Sequence, residues 1–448
     1  MTVMSTEVLK TKAEQHFADH FEQVRPSLPG DAAIQALREE AWQVYARSGL
    51  PHRRIEEWKY TDLRALLRDA YPPAPTVAEA LTREAVSDAL GSAVGGVDCT
   101  RLIIVDGRFR SELSDMEDLQ GHGEALALED ALAAPPQWLG EVLGKTNPQE
   151  GDPVIALNTA LMSGGVALRI NDAAMPAKPI HIIHVQAAKD AAGLVTRNVV
   201  RIGKGAEAVL IESFVSVSAA PVQRNVVTEL AVGEKARVDH LKYQAEGMNA
   251  AHLGSWLLKL GGGATYRGFQ FSTGAALARN QIFLAFSGED ASSHLGSAVL
   301  LRGKQHNDTT ILVDHLVPAC KSREFNKLVL DGEARGIVQC KVNVHRDAQK
   351  SDGHQMAQAL MLSDFAEFDS KPELEIFADD VVCGHGSTSG QVDPELMFYL
   401  RARGIPEPEA RALLIASFAG EVVETVEHEG MREAFLAEIG TWLEEGGS

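Results

Sequence analysis

Cysteine is scarce in this chain. Its 448 residues hold four, Cys99, Cys320, Cys340 and Cys383, separated by 221, 20 and 43 positions and forming no CxxC pair. That spacing signals neither a zinc knuckle nor a disulfide framework and points to a reducing compartment. Long apolar runs are missing too, since none approaches the about 18 residues a membrane span requires. The amino-terminal MTVMSTEVLKTKAEQ lacks the apolar core of a secretory signal, so a cytoplasmic location is expected. Positive charge is also in deficit, with 42 Lys plus Arg against 62 Asp plus Glu. A surface for nucleic acid or anionic lipid needs a basic footprint, and neither partner is expected here.

Catalytic signatures are equally sparse. No GxSxG, HExxH or GxGxxG stands in the context its chemistry requires, which removes support for hydrolase, metalloprotease and dinucleotide readings. Gly140-Glu-Val-Leu-Gly144-Lys145-Thr146 imitates a phosphate loop. It has three residues between its glycines instead of four, and it follows a helical pattern where such a loop follows a strand.

What is present divides into three parts: a mainly helical region over 1–100, a β-rich core over 101–390 with a helical insertion near 125–148, and a helical module over 391–448. Asp31 is placed to cap a helix carrying Ile34, Leu37, Ala41, Val44 and Tyr45 on one stripe, ended by Gly49 and Pro51. The mixed stretch PHRRIEEWKYTDL, Pro51 to Leu63, reads as a solvated face over two aromatics. Another helix is expected from Val77 to about Leu90. RLIIVDGRF then reads as strand and turn, and LEDALAAPPQWLGEVLGK as helix broken by Pro135 and Pro136. DPVIALNTALMSGGVALRI reads as a return to extended chain with a turn at Gly164-Gly165.

Beyond Pro179 strands dominate, and a weak repeat of apolar strand, Gly, polar turn and apolar strand recurs. Its glycines, Gly203, Gly233, Gly261, Gly288, Gly303 and Gly332, step by 30, 28, 27, 15 and 29. A sandwich has short strands but no returning interval, so the steps near 29 indicate a parallel β-helix. A solenoid leaves strand edges at both ends that must be capped or paired with another chain. After Gly390, Asp393 caps DPELMFYLRARG, a second helix carries Ala410, Leu413, Leu414, Ser417, Phe418, Val422 and Val426, and MREAFLAEIGTWLEE closes the sequence. Such a module has more apolar surface than it would bury alone, so it packs on the solenoid or receives a partner.

The stretch with most chemical content is Lys371 to Gly390, KPELEIFADDVVCGHGSTSG. Leu374, Ile376, Val381 and Val382 read as extended chain, and Gly384, Gly386, Gly390 and the hydroxyls of 387–389 are expected to end it. Cys383 and His385, two apart on a strand, share one face. A thiolate beside an imidazole suits iron, zinc or a sulfur-carrying step; plain packing of a buried cysteine is the alternative. His181 and His184, three apart, fall on opposite faces and cannot act jointly. His345 and His354 flank the polar run 346–353 as surface or satisfied core histidines, and Cys340 with Val342 and Val344 reads as core.

Several of these stretches together resemble the SufD group of the SUF iron-sulfur cluster assembly family. PHRRIEEWKYTDL, VIALNTAL with its Gly-Gly turn, HRDAQKSDGHQMAQALMLSDFAEFDSKPELEIFADDVVCGHGSTSG and DPELMFYLRARGIPEPEARALLIASFAGEV match in order. The related SufB group typically has glutamate where His385 stands and lacks the preceding Cys. The resemblance implies a right-handed parallel β-helix between helical ends, and a scaffold subunit that is not itself an enzyme. It further implies pairing with a SufB-like paralogue through the β-helix and binding of a SufC-like ATPase by the carboxy-terminal helices. In those helices Phe398, Tyr399, Arg401, Gly404, Leu414 and Phe418 become candidate partner contacts. His385, with Cys383 beside it, becomes the candidate contribution to a nascent iron-sulfur cluster shared with the partner, and pairing of two identical copies is an alternative for the isolated chain. Two competing readings are a purely architectural subunit and a β-helix enzyme acting on acidic polysaccharides. The latter would use Asp308, Asp314 and His315, which do not share one strand face.

Overall fold

A computed structural model of the chain describes residues 10–75, 81–146 and 151–446. From Ile180 to Gly390 the backbone alternates between two parallel sheets, so that each turn is two strands and two corners. In one sheet Glu207, Arg237, Thr265, Ser292, Lys321, Asp352 and Val382 stand in register. The interval read from the glycines is therefore one solenoid turn. Gly203, Gly233, Gly261 and Gly288 occupy one corner and Gly303 and Gly332 the opposite one, which explains the single step of 15. The two corners need glycine for different reasons. A Cβ at Gly288 would lie 2.1 Å from the backbone nitrogen of Gly262 in the turn below, whereas Gly303 and Gly332 adopt φ of 61° and 67°, the left-handed region.

Inside, Val200, Leu230, Leu258, Leu284, Val313, Val342 and Leu374 form an in-register aliphatic ladder along one sheet. Full burial of each such side chain contributes about 1.5–3 kcal/mol. Alongside it the lumen also holds a buried polar network. Glu212 accepts from Thr228 Oγ1 at 2.8 Å and Trp256 Nε1 at 2.9 Å and lies 2.6 Å from His240 Nε2. Lys242 Nζ donates to His252 Nε2 and Asn280 Oδ1, and His252 Nδ1 donates to Glu246.

The helical regions are layers on the solenoid, one per sheet. The amino-terminal helices, Lys12–Val24 and Ala32–Ser48, pack on one sheet together with Pro153–Leu161. The expected Asp31 cap is formed on Ile34 N at 3.0 Å. The expected start at Val77 lies outside the described residues; the helix begins at Arg83, capped by Thr82. The extended reading of DPVIALNTAL is wrong: Pro153–Leu161 is a helix capped by Asp152, which accepts from Val154 N and Ile155 N. All nine of its residues are buried, so no apolar periodicity separates it from a buried strand.

The stretch 51–63 is a strap and not merely a solvated face. Its charged residues are exposed, but Trp58 and Thr61 are fully buried. Trp58 Nε1 donates to Asp152 at 3.3 Å and its ring lies 4.4 Å from the Arg279 guanidinium. Arg279 forms a buried ion pair with Asp308, which also accepts from Thr61 Oγ1 at 2.5 Å. The strap thus covers an ion pair on the outer sheet face and adds hydrogen bonds to both of its partners, from Thr61 Oγ1 to Asp308 and from Arg279 to Glu57 O.

The two ends of the solenoid differ. At the amino-terminal end, Arg108–Phe109 and Gly123–Ala127 pair antiparallel with the first parallel strand of each sheet and are short edge strands themselves. At the other end Glu367–Ile376 and Val382–Gly390 are the terminal strands, each paired on one side among the described residues.

Replacing Trp58 with Ala should lower stability by about 3–5 kcal/mol, the usual cost of a large buried cavity, read as a drop in the urea unfolding midpoint. A second expectation concerns acid. Burial holds His181 and His184 down to about 3 and His252 to about 4, whereas in the unfolded chain each titrates near 6.5. The unfolded state therefore binds more protons below pH 6.5. Stability should fall as pH drops from 6.5 toward 4, by up to about 1.4 kcal/mol per pH unit for each histidine, and a flat melting temperature over that range would refute the assignment.

Candidate functional site

The site is built by the last strand, Val382–Gly390, which pairs with Asp352–Met361 so that Cys383 stands opposite Gly353 and His385 opposite Gln355. The strand does not stop at its glycines as expected but runs on to Gly390. Glycine is tolerated because it serves the outer face. A Cβ at Gly384 would lie 3.3 Å from His354 Cδ2 and one at Gly386 2.7 Å from Met356 Cε, so both side chains lie across the bare backbone. Alternation then turns Cys383 and His385 to the lumen side. Cys383 is half-buried against the inner aliphatic cluster and His385 is exposed at the rim.

Burial pushes the Cys383 thiol above its ordinary range; the Gly353 backbone works against this, while Asp352 and Glu324 add to it. The other three cysteines are buried. Among the described residues no three His, Cys, Asp or Glu side chains lie close enough to hold a metal ion. Cys383 and His385 can supply two ligands, and a four-coordinate iron would need the rest from elsewhere.

The rim around them carries exposed apolar side chains among charged and hydroxyl residues. Phe365 is 77% exposed at one corner of the last turn, Phe377 63% at the other, and Val382 63% beside the open edge. Sequence reading passed over Phe365 and Phe377. Their signal was available: each is a large apolar residue in a corner segment of the solenoid, where a polar turn is usual.

The carboxy-terminal helices give a second surface. Pro394–Ala402, capped by Asp393, has no buried residue, and Phe398 and Tyr399 are 74% and 54% exposed beside exposed Leu396 and Leu413. Arg401 and Gly404 are exposed as well. Leu414 and Phe418 are half-buried, with Lys327 Nζ 4.2 Å from the Phe418 ring and paired to Glu421. The buried stripe of Glu407–Val423 is Ala410, Ile415, Ala419, Val422 and Val423, shifted from the expected Leu413, Leu414, Ser417 and Phe418. The cause is the solenoid wall, where small residues let the helix approach Phe269, Ala298 and Leu300.

The remaining candidates are structural. Asp308 is held in the strap, and Asp314 lies 2.6 Å from Asn343 Nδ2. His315 is buried in the lumen, its ring 4.7 Å from that of Phe286, so the three form no exposed carboxylate face for a polysaccharide. His181 and His184 are both buried, on opposite faces, bonded to Ser213 and Asn198. His345 and His354 each meet a carboxylate, Asp314 and Asp352. Gly144 N and Thr146 Oγ1 of the phosphate-loop imitation both donate to the Glu229 carboxylate, a side chain of the chain itself.

Residues 184–418 match the family described as SUF system FeS cluster assembly, SufBD core domain, and residues 11–182 match the SufBD protein N-terminal region. The chain belongs to the SufBD family. It is 30% identical over 407 residues to the iron-sulfur cluster assembly protein SufD of Escherichia coli, covering 90% of this chain and 92% of that protein. A SufBD-family cluster assembly protein of Synechocystis is 28% identical over 435 residues, 94% of each chain, and SufD of Bacillus subtilis is 26% identical over 292 residues, 63% of this chain and 65% of that one. The resemblance to SufD read from the sequence is therefore borne out.

Under native conditions Cys383 should be the one cysteine that reacts with a thiol reagent. The reaction should be slow at pH 7 and accelerate above pH 8.5 as the thiolate forms. Cys383→Ser should abolish the reaction, and labelling of Cys340 or Cys320 in the folded protein would contradict the burial described.

Proposed function

We propose that this SufBD-family chain is a non-catalytic scaffold subunit of the SUF machinery, working in the cytoplasm. It pairs through its open solenoid end with a SufB-like paralogue, binds a SufC-like ATPase by its carboxy-terminal helices, and helps to assemble and transfer nascent iron-sulfur clusters. The observation that carries this reading is the placement of Cys383 and His385 on the lumen face of a strand whose other edge is unpaired among the described residues and beside which Phe365, Phe377 and Val382 are exposed. An unpaired edge flanked by exposed aromatic side chains favours strand-to-strand pairing with another chain, and such pairing brings the partner's ligands to the same seam.

Nascent cluster and iron are cargo in this scheme, and the chain's own residues do limited work. Cys383 and His385 supply a sulfur and a nitrogen ligand, and the partner or sulfide completes the shell. The ATPase partner takes the exposed face formed by Phe398, Tyr399 and Leu413, with Arg401 and Gly404 at the helix end and Leu414 and Phe418 nearer the wall. Because Lys327 and Phe418 tie that helix to the same sheet that carries Cys383, a shift of the module reaches the seam along adjacent strands.

Co-purification at native expression should recover a SufB-like chain and an ATPase in fixed ratio. His385→Ala should leave that complex intact yet reduce cluster assembly in cells by about tenfold or more. Phe398→Ala with Tyr399→Ala should weaken ATPase capture by about thirtyfold, as loss of two aromatic anchors does. Full cluster assembly by His385→Ala and Cys383→Ser together would leave a purely architectural role in its place.

A further inference from the structure

Two strands in from the rim, the lumen holds an acid that nothing above uses. Glu324 is 2% exposed, and neither of its carboxyl oxygens meets an Arg, Lys or His side chain. Few groups face it. Ser322, two residues back on the same strand, offers a hydroxyl, and Arg323 between them lies on the outer face, where it pairs with Asp352. From the other sheet comes Cys340 and from the last strand Cys383, two thiols that the Glu324 carboxyl pushes upward. Burial outweighs what Ser322 and Arg323 offset and pushes Glu324 up to about 8. At neutral pH the group is therefore a carboxylic acid, with one O–H to donate.

A matching acceptor stands beside it. Glu324 is in register with Gln355 on the adjacent strand Asp352–Met361, about 4.8 Å away and on the same lumen face. Gln355 is 4% exposed, and its Nε2 donates to Glu373 O at 2.8 Å on Glu367–Ile376, the terminal strand of the other sheet. That bond fixes which end of the carboxamide is nitrogen. It leaves Oε1 as a buried acceptor without a partner. An acid that holds its proton and a neighbouring oxygen that lacks one satisfy each other with a single O–H···O bond, whereas a carboxylate in the same place would face a second acceptor.

We propose that Glu324 is a neutral acid donating to Gln355 Oε1, and that the two are positioning residues, tying one sheet to the other through Glu373 beneath the strand that carries Cys383 and His385. Gln355 is the residue in register with His385, so the tie sets the spacing of the two terminal strands directly under the rim. The bond belongs to the chain by itself; only its bearing on ligand placement rests on the reading of the rim as an iron site. Its pH dependence has a definite sign. The unfolded chain loses this proton near pH 4.5 and the folded one near 8. The acid's contribution to stability is therefore complete below 4.5 and is lost as pH rises to about 8.

The test uses the full chain without metal. Infrared difference spectra of the parent against Glu324→Gln in D2O at pH 7 should show the carbonyl stretch of a protonated carboxyl that the variant lacks. Between pH 5 and 7 the unfolding equilibrium constant of the parent should rise by about tenfold per pH unit relative to that of Glu324→Gln, whose amide keeps the bond to Gln355 and has no proton to lose. Glu324→Leu and Gln355→Leu cut the tie from either end, and each should speed hydrogen exchange of the Val382–Gly390 amides by about tenfold. Glu324→Gln should exchange at the parent rate. A carboxylate signal for Glu324 at pH 7, or the same pH slope for the parent and Glu324→Gln, would overturn the protonated bond, and unchanged exchange in both Leu variants would overturn the positioning role. None of these readouts involves iron, so failure of the tie and failure of the rim as an iron site are told apart.

Discussion

Hydrogen bonding between successive turns is the constraint on which this structure depends. In a parallel solenoid each inner strand satisfies its backbone donors and acceptors on the turns above and below. The amino-terminal end finishes in two short antiparallel strands, and the other end in two full-length parallel ones. The last strand of each sheet keeps one free edge, and the exposed Phe365, Phe377 and Val382 lie beside it. The exposed apolar side chains and the Cys383–His385 pair thus lie at the same strand edge.

The interior is divided by chemistry. One side is the aliphatic ladder from Val200 to Leu374, which fixes the stacking register because a slip by one residue would turn every rung outward. The other side is a chain of buried charges whose pairing is internal: Glu212 with His240, Glu246 with Arg224 and His252. A group that breaks this pattern stands out, and Glu324 does so next to the open end. The strap makes a parallel point outside, where Thr61 and Trp58 exist to pair and cover Asp308, Arg279 and Asp152. The motif that marks the amino-terminal region is accordingly part of the wall, its buried side chains bonded to the outer sheet face.

Much of the architecture was legible because its signals are local or periodic. Glycine steps near 29 encode a turn; Asp31 and Asp393 encode helix starts. The misreadings come from packing against other elements. Pro153–Leu161 shows no amphipathic period because every residue is buried, and the stripe of Glu407–Val423 moved because the sheet beneath it selects small residues over large ones. The extension of the last strand through Gly384 and Gly386 depended on what lies opposite, the His354 and Met356 side chains, which no local rule contains.

The sequence by itself determined that the chain winds in a repeating coil, that helices precede and follow it, that Cys383 and His385 share a face, and that conventional catalytic motifs are absent, because each of these is a matter of spacing along one strand or helix. Only the tertiary structure decided which strands finish the coil at each end, that the shared face is the inner one, and that Phe365, Phe377 and Val382 stand exposed beside it. Those facts concern which strands neighbour one another across about thirty residues per turn, and that neighbourhood is set by packing between turns, beyond the reach of any local pattern.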